Sequence, residues 1–161
     1  GQDSPGKLLA RVNDVLSQEM PMDMFVTCLL VILDPQTGRI RYANAGHNPP
    51  YLRARYGARE LKASGIPLGL FPGLEYEEKE AQLAPGDSLL MYSDGLVEAH
   101  DPQRDMFGFH RLQGILSSLT IDSLMEGEEL IQYLMGRLTE FTGPGWEQED
   151  DITIVTLSRA I

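Results

Sequence analysis

Beyond Pro5 the apolar residues Leu8, Leu9, Val12, Val15 and Leu16 recur at helical spacing, which predicts an amphipathic helix over residues 5–19. Ser4 and Pro5 form a helix-start pair, a capping hydroxyl followed by a ring that pre-sets the first turn. Lys7, Arg11 and Asp14 fall on the other face, which is expected in water. The pattern changes at Met24. Phe25 to Leu33 is an apolar, β-rich run interrupted by Thr27, and Asp34-Pro35-Gln36-Thr37-Gly38 is a turn leading into the alternating Arg39 to Asn44. This predicts a hairpin whose first arm is buried on both faces and whose second arm has one polar face. Tyr51 to Ala54 reads as a short strand, residues 56–73 as a Gly- and Pro-rich wrap, and Ser88 to Tyr92 as a buried strand. Two core-facing helices follow, over residues 107–119 and 123–141, the second with Ser123 and Glu126 at capping-box spacing. After Gly143-Pro144-Gly145 an acidic loop, Glu147 to Asp151, leads into a last strand over Ile152 to Leu157.

A strand-rich first half and a helical second half argue for an α+β fold with a largely antiparallel sheet. The 161 residues are the length of one domain, and 42% hydrophobic with 23% charged residues is a globular composition. Residues 1–161 are therefore read as a single domain. A formal net charge of -11, with no Lys/Arg cluster longer than a pair, argues against nucleic-acid binding. Arg39, Arg41, Arg53, Arg55 and Arg59 are spaced like the solvent face of strands. The single cysteine, Cys28, excludes an internal disulfide and any thiolate zinc motif, and fits a reducing cytosol. No apolar stretch is long enough to span a membrane, and the first residues lack a signal-peptide pattern. The chain does not begin with Met, and it is read as a piece of a longer one.

Two places put carboxylates at the mouths of buried strands. Ser93-Asp94-Gly95 ends one strand, and Asp150-Asp151 precedes the last. If those strands are antiparallel neighbours, the end of one lies beside the start of the other and the carboxylates meet. Such a set, without Cys or a His pair, is a hard oxygen site suited to Mg²⁺ or Mn²⁺. The bland alternative is an Asp-Gly turn and a solvated Asp pair protecting a strand edge. His47, in Gly46-His47-Asn48-Pro49-Pro50, is read as a loop histidine whose ring caps a backbone group rather than as a general acid. His100 and His110 read as ordinary surface or helix residues, and Trp146 as packing for the base of the acidic loop.

Met24-Phe25-Val26-Thr27, Tyr42 through Pro50, Gly65-Ile66-Pro67-Leu68-Gly69, Leu83 through Asp87, Tyr92 through Ala99, Phe107-Gly108 and Asp150-Asp151-Ile152-Thr153 occur in a telling order. In that order and spacing the chain resembles the SpoIIE-like, RsbU-like bacterial branch of the PPM (protein phosphatase 2C-type) serine/threonine phosphatases. The resemblance implies a mostly antiparallel β-sandwich flanked by helices, here lacking the N-terminal strands. It implies hydrolysis of phosphoserine or phosphothreonine on a regulatory phosphoprotein of the anti-sigma-antagonist (STAS) type. Two Mn²⁺ or Mg²⁺ ions per complete site would activate a water directly, without a covalent phospho-enzyme. Asp94 and Asp150 match family metal ligands; Gly95, Asp151, His47 and Asn48 take supporting places. The family's earlier Gly-Asp-Val strand has no counterpart before Pro5, and Asp3 is no substitute. Weak or single metal binding, little hydrolysis, and a homodimer or strand swap through the exposed edge are therefore expected of this piece. A haloacid-dehalogenase reading of Asp94-Gly95 fails because Tyr92 stands where that chemistry needs its nucleophilic Asp. A phosphatase-like regulatory module that binds without hydrolysis is the alternative from another class.

Overall fold

The computed structural model describes residues 4–21, 23–54, 56–119, 125 and 127–160. They form an α+β fold with two antiparallel sheets, each within its own compact unit. No helix among the described residues is long and apolar enough to cross a membrane.

The first unit comprises residues 1–49 and 61–83. Helix α1 (Pro5–Glu19) covers a three-stranded sheet of β1 (Cys28–Leu33), β2 (Arg39–Ala45) and β5 (Glu78–Gln82), ordered β1-β2-β5. The helix has the predicted bounds but not the predicted face. Leu9 and Asn13 are buried, whereas Val12 and Val15 are 45% and 54% exposed. Asn13 is accommodated because its amide donates to the Phe71 carbonyl at 2.8 Å and its oxygen accepts from Gly69 N–H at 3.0 Å. Ser4 occupies the N-cap position in extended conformation, but its side chain makes no capping bond.

The hairpin register runs from Cys28↔Ala45 to Leu33↔Ile40. Its turn is closed by Asp34, whose carboxylate accepts from the amides of Gln36 and Thr37 and from the Thr37 hydroxyl. The burial expectation for the arms is reversed. Every residue of β1 is only half-buried, and Phe25 and Val26 precede the strand in exposed positions. The reason is position: β2 is central and buried from Tyr42 to Ala45, while β1 lies at the sheet's end.

The second unit comprises residues 50–60 and 84–161. Its sheet has the order β4-β3-β6-β7, with β3 (Tyr51–Ala54) and β6 (Ser88–Tyr92) central and β4 (Gly57–Glu60) and β7 (Ile154–Ser158) at the edges. Strand β4 lies inside the stretch read as a wrap, because its short sequence Gly-Ala-Arg-Glu carries no apolar alternation. Helices α2 (Phe109–Ser118) and α3 (Glu128–Thr142) supply Leu112, Leu116, Leu130, Leu134 and Leu138 to one core with Tyr51, Leu90 and Tyr92. Both helices start later than predicted: Phe107 is a buried core residue ahead of α2, Phe109 is 44% exposed, and Ser123 and Glu126 lie outside the described residues. Tyr51 and Tyr92 stack at 6.0 Å, and Phe107 meets Phe141 edge-on at 5.4 Å. Arg53 is another correction. It is buried at 6% exposure and donates to the Met125 carbonyl at 2.9 Å, whereas Arg39 and Arg59 are solvent-facing as predicted and Arg55 lies outside the described residues.

Candidate functional site

Strands β6 and β7 pair antiparallel from Ser88↔Ser158 to Tyr92↔Ile154, so the exit of one adjoins the entry of the other. Beyond the last pair the connection continues through Ser93. Its amide donates to the Thr153 carbonyl at 3.0 Å, its hydroxyl donates to the Asp151 carbonyl at 2.9 Å, and the same oxygen accepts from Thr153 N–H at 2.9 Å. Asp94 then opens a short 3-10 turn, Asp94–Leu96, that buries Gly95 and Leu96 and leaves the Asp94 carboxylate exposed.

Gly95 is where the two backbones come closest. A Cβ built there would lie 2.6 Å from the Asp151 carbonyl oxygen and 3.2 Å from that of Asp150. Only a residue without a side chain permits this approach. Asp94, Gly95, Asp150 and Asp151 thus come together at one end of the sheet, with the three acidic side chains at the surface. Asp94 Oδ1 accepts from Gly95 N–H at 3.1 Å and Asp150 Oδ1 from Asp151 N–H at 2.7 Å, so each carboxylate is oriented by the amide that follows it.

Asp150 lines a cavity of about 170 Å³ with Gly95, Glu98, His100, Trp146 and Glu149. A wider depression of about 560 Å³ continues past His100, Arg104, Trp146 and Gln148. Trp146 packs against the core of this unit and borders both spaces. His100 is not an ordinary surface residue: its Nδ1 donates to Glu149 at 2.6 Å, while Arg104 donates to the other carboxylate oxygen at 2.5 Å. The His100 hydrogen bond, followed by that from Arg104, holds the Glu149 carboxyl below the usual carboxylate range.

Sequence reasoning missed Ser93, His100, Arg104 and Glu149. For Ser93 a signal existed, a hydroxyl directly before Asp94 at a strand end. For the other three there was none, since Glu149 resembles any member of an acidic loop until its distant partners are folded against it.

His47 and Asn48 belong to the first unit. Buried Asn44 clasps the loop, donating to the His47 carbonyl at 2.8 Å and accepting from His47 N–H at 2.7 Å. The His47 ring shares a 3.2 Å hydrogen bond with the Thr27 hydroxyl rather than capping a backbone group. Gly65 supports the same segment from beneath, since a Cβ there would strike the Asn44 carbonyl oxygen.

The family profile described as Stage II sporulation protein E (SpoIIE) matches residues 1–160. The chain belongs to the SpoIIE family. It is a PP2C-type phosphatase domain of the RsbU/SpoIIE bacterial branch. Protein IcfG of Synechocystis sp. is 31% identical over 150 residues, covering 91% of this chain and 23% of IcfG. The phosphoserine phosphatase RsbU of Bacillus subtilis is 23% identical over 159 residues, covering 98% of this chain and 46% of RsbU. The SpoIIE-family chain described here therefore spans less than half the length of either relative. Its fold matches that of the phosphatase domain of the cell fate determinant SpoIIE from Bacillus subtilis, presoaked with Mn, at a TM-score of 0.68 and 22% identity. That match covers 99% of this chain and 68% of the solved one.

Among the described residues, no three His, Cys, Asp or Glu side chains stand together as a ready-made metal cluster. The donors at the strand ends nevertheless suit a hard cation. Asp94 and Asp150 are carboxylates in contact with solvent, the neighbouring imidazole of His100 is engaged by Glu149, and no thiol lies in this unit. A small divalent ion that keeps several waters fits such a sparse oxygen set better than one demanding a full protein cage.

Proposed function

We propose that this SpoIIE-family domain is a divalent-metal-dependent protein serine/threonine phosphatase, acting on phosphoserine or phosphothreonine of a bacterial regulatory protein of the anti-sigma-antagonist type. The observation that carries the reading is the β6–β7 pairing, which brings Asp94 and Asp150 to adjoining strand ends on a frame tied by Ser93. The phosphoserine phosphatase activity in the name of RsbU, similar over 98% of the chain, supports the choice of substrate.

Asp94 and Asp150 would hold Mn²⁺ or Mg²⁺, two ions in the complete site. When bound, the cations supply electrophilic activation of water and neutralise charge on the phosphoryl group. Gly95 keeps the two aspartate backbones in close approach, and Ser93 fixes their relative height along the strands. Asp151 orients its neighbour through its amide, which donates to the Asp150 carboxylate. Asn44 holds the loop that carries His47 and Asn48.

Mn²⁺ titration calorimetry on the chain and on Asp94→Ala, with phosphate release from a phosphoserine peptide measured in parallel, tests this. Loss of Asp94 should weaken Mn²⁺ by at least about tenfold. Unchanged heats would remove Asp94 from the site and end the reading. Metal-dependent phosphopeptide binding without phosphate release, both by this chain and by a longer one that carries a Gly-Asp-Val strand, would make the domain a binding module instead.

A further inference from the structure

We infer that Arg104 is a positioning residue: with His100 it clamps Glu149 and thereby fixes the acidic loop that presents Asp150. The inference rests on the proposed role of Asp150 as a metal ligand. The clamp is built on a stiff post. Residues 97–108 form a hairpin in which Gly108 N–H donates to the Val97 carbonyl and Phe107 N–H to the Ala99 carbonyl, both at 2.8 Å. Val97, Ala99 and Phe107 anchor its base in the core. At its tip Asp101 Oδ1 accepts from the amides of Gln103 and Asp105, both at 2.9 Å.

Arg104 sits on that tip with φ 69°, the only non-glycine residue with positive φ among those described. A side chain in the left-handed region strains the backbone, and glycine would relieve it. What the arginine contributes is a guanidinium 2.5 Å from Glu149 Oε1, while the His100 ring holds Oε2 at 2.6 Å. Both carboxylate oxygens are therefore taken, which sets the orientation of Glu149 as well as its place. The Arg104 side chain is 71% exposed, and exposed ion pairs contribute little to stability, so strain offset by global stabilisation is not the explanation.

The alternative is local. The loop is held at Glu149 by the hairpin tip and at Asp151 by Ser93, and Gln148 Nε2 donates to the Asp150 carbonyl at 2.9 Å. Asp150 is thus the residue between two tethers, one from each neighbouring element. Removing Arg104 releases Glu149 Oε1 and leaves the carboxylate on the His100 bond alone, so the loop loosens on the side of Glu149 while the core stays intact.

The test is Arg104→Gly in the intact chain, with Arg104→Lys beside it. Arg104→Gly should melt at the same or a higher temperature, because the strained backbone relaxes, while the backbone ¹⁵N order parameters of residues 147–151 fall. Mn²⁺ affinity should fall on the order of tenfold, the usual effect of losing a residue that orients a ligand, and Arg104→Lys should recover part of both losses. Unchanged order parameters at 147–151 overturn the clamp whatever the metal does. Lower order parameters with unaltered Mn²⁺ affinity overturn the link from loop to ligand. Should Asp94→Ala leave Mn²⁺ binding unaltered, the metal reading falls, and the order parameters of Arg104→Gly still decide the clamp.

Discussion

The hydroxyl of Ser93 bridges two residues of the incoming strand, donating to the Asp151 carbonyl and accepting from the Thr153 amide, both at 2.9 Å. It extends the β6–β7 ladder by one side chain past the last backbone pair and delivers Asp94 next to Asp150. Ser93→Ala should lower stability by about 1 kcal/mol, since both partners can turn to water at this partly exposed position. The larger effect should be a several-fold loss of Mn²⁺ affinity. Calorimetry and urea unfolding on the same samples would check it, and an affinity loss no greater than that of a distant surface Ser→Ala control would contradict it.

Gly95→Ala should be more damaging. The added carbon meets backbone carbonyls rather than a flexible side chain, so the segment leading into β7 must move away from the 3-10 turn. Overpacking of this kind costs about 1–3 kcal/mol, and here it separates the two candidate ligands. A melting temperature and a Mn²⁺ affinity both equal to those of the parent would show that the approach is looser than described.

Asn13→Ala should destabilise the first unit by about 2–3 kcal/mol. The fully buried amide of Asn13 holds both the Phe71 carbonyl and the Gly69 amide, and alanine would remove both bonds and leave a space at a helix position that is 0% exposed. Val12→Ala, one residue earlier and exposed, should change little. Equal effects of the two in denaturant titrations would refute the assignment of the helix face.

Cys28 supplies a pH prediction. Burial pushes its thiol above the ordinary value, so the folded pKa exceeds the unfolded one. The neutral thiol's contribution to stability is then complete below the unfolded pKa and is lost as pH rises through the folded value. Alkylation by iodoacetamide at pH 8 should be slower in the folded chain than in urea, with the pH–rate midpoint displaced to the alkaline side. Equal midpoints in both states would count against it.

Much of the architecture was legible because periodicity reports local geometry. The bounds Pro5–Glu19, Tyr51–Ala54 and Ser88–Tyr92 coincide with the reading from pattern alone. Pattern failed where neighbours decide burial. The apolar run of β1 suggested two covered faces, yet its place at the end of the β1-β2-β5 sheet leaves it half-buried. Arg53 looked like a solvent-face residue, and it is enclosed because a carbonyl from a distant segment receives its guanidinium.

The order of motifs along the chain determined the family, the α+β class and the aspartates worth asking about, since these depend on residue identity and short-range spacing. That strands β6 and β7 are neighbours, that Ser93 ties them and that His100 and Arg104 reach Glu149 were decided only by tertiary structure. The physical reason is that hydrogen bonds and ion pairs are short-ranged in space, and a one-dimensional pattern does not say which distant residues chain folding will bring within 3 Å of one another.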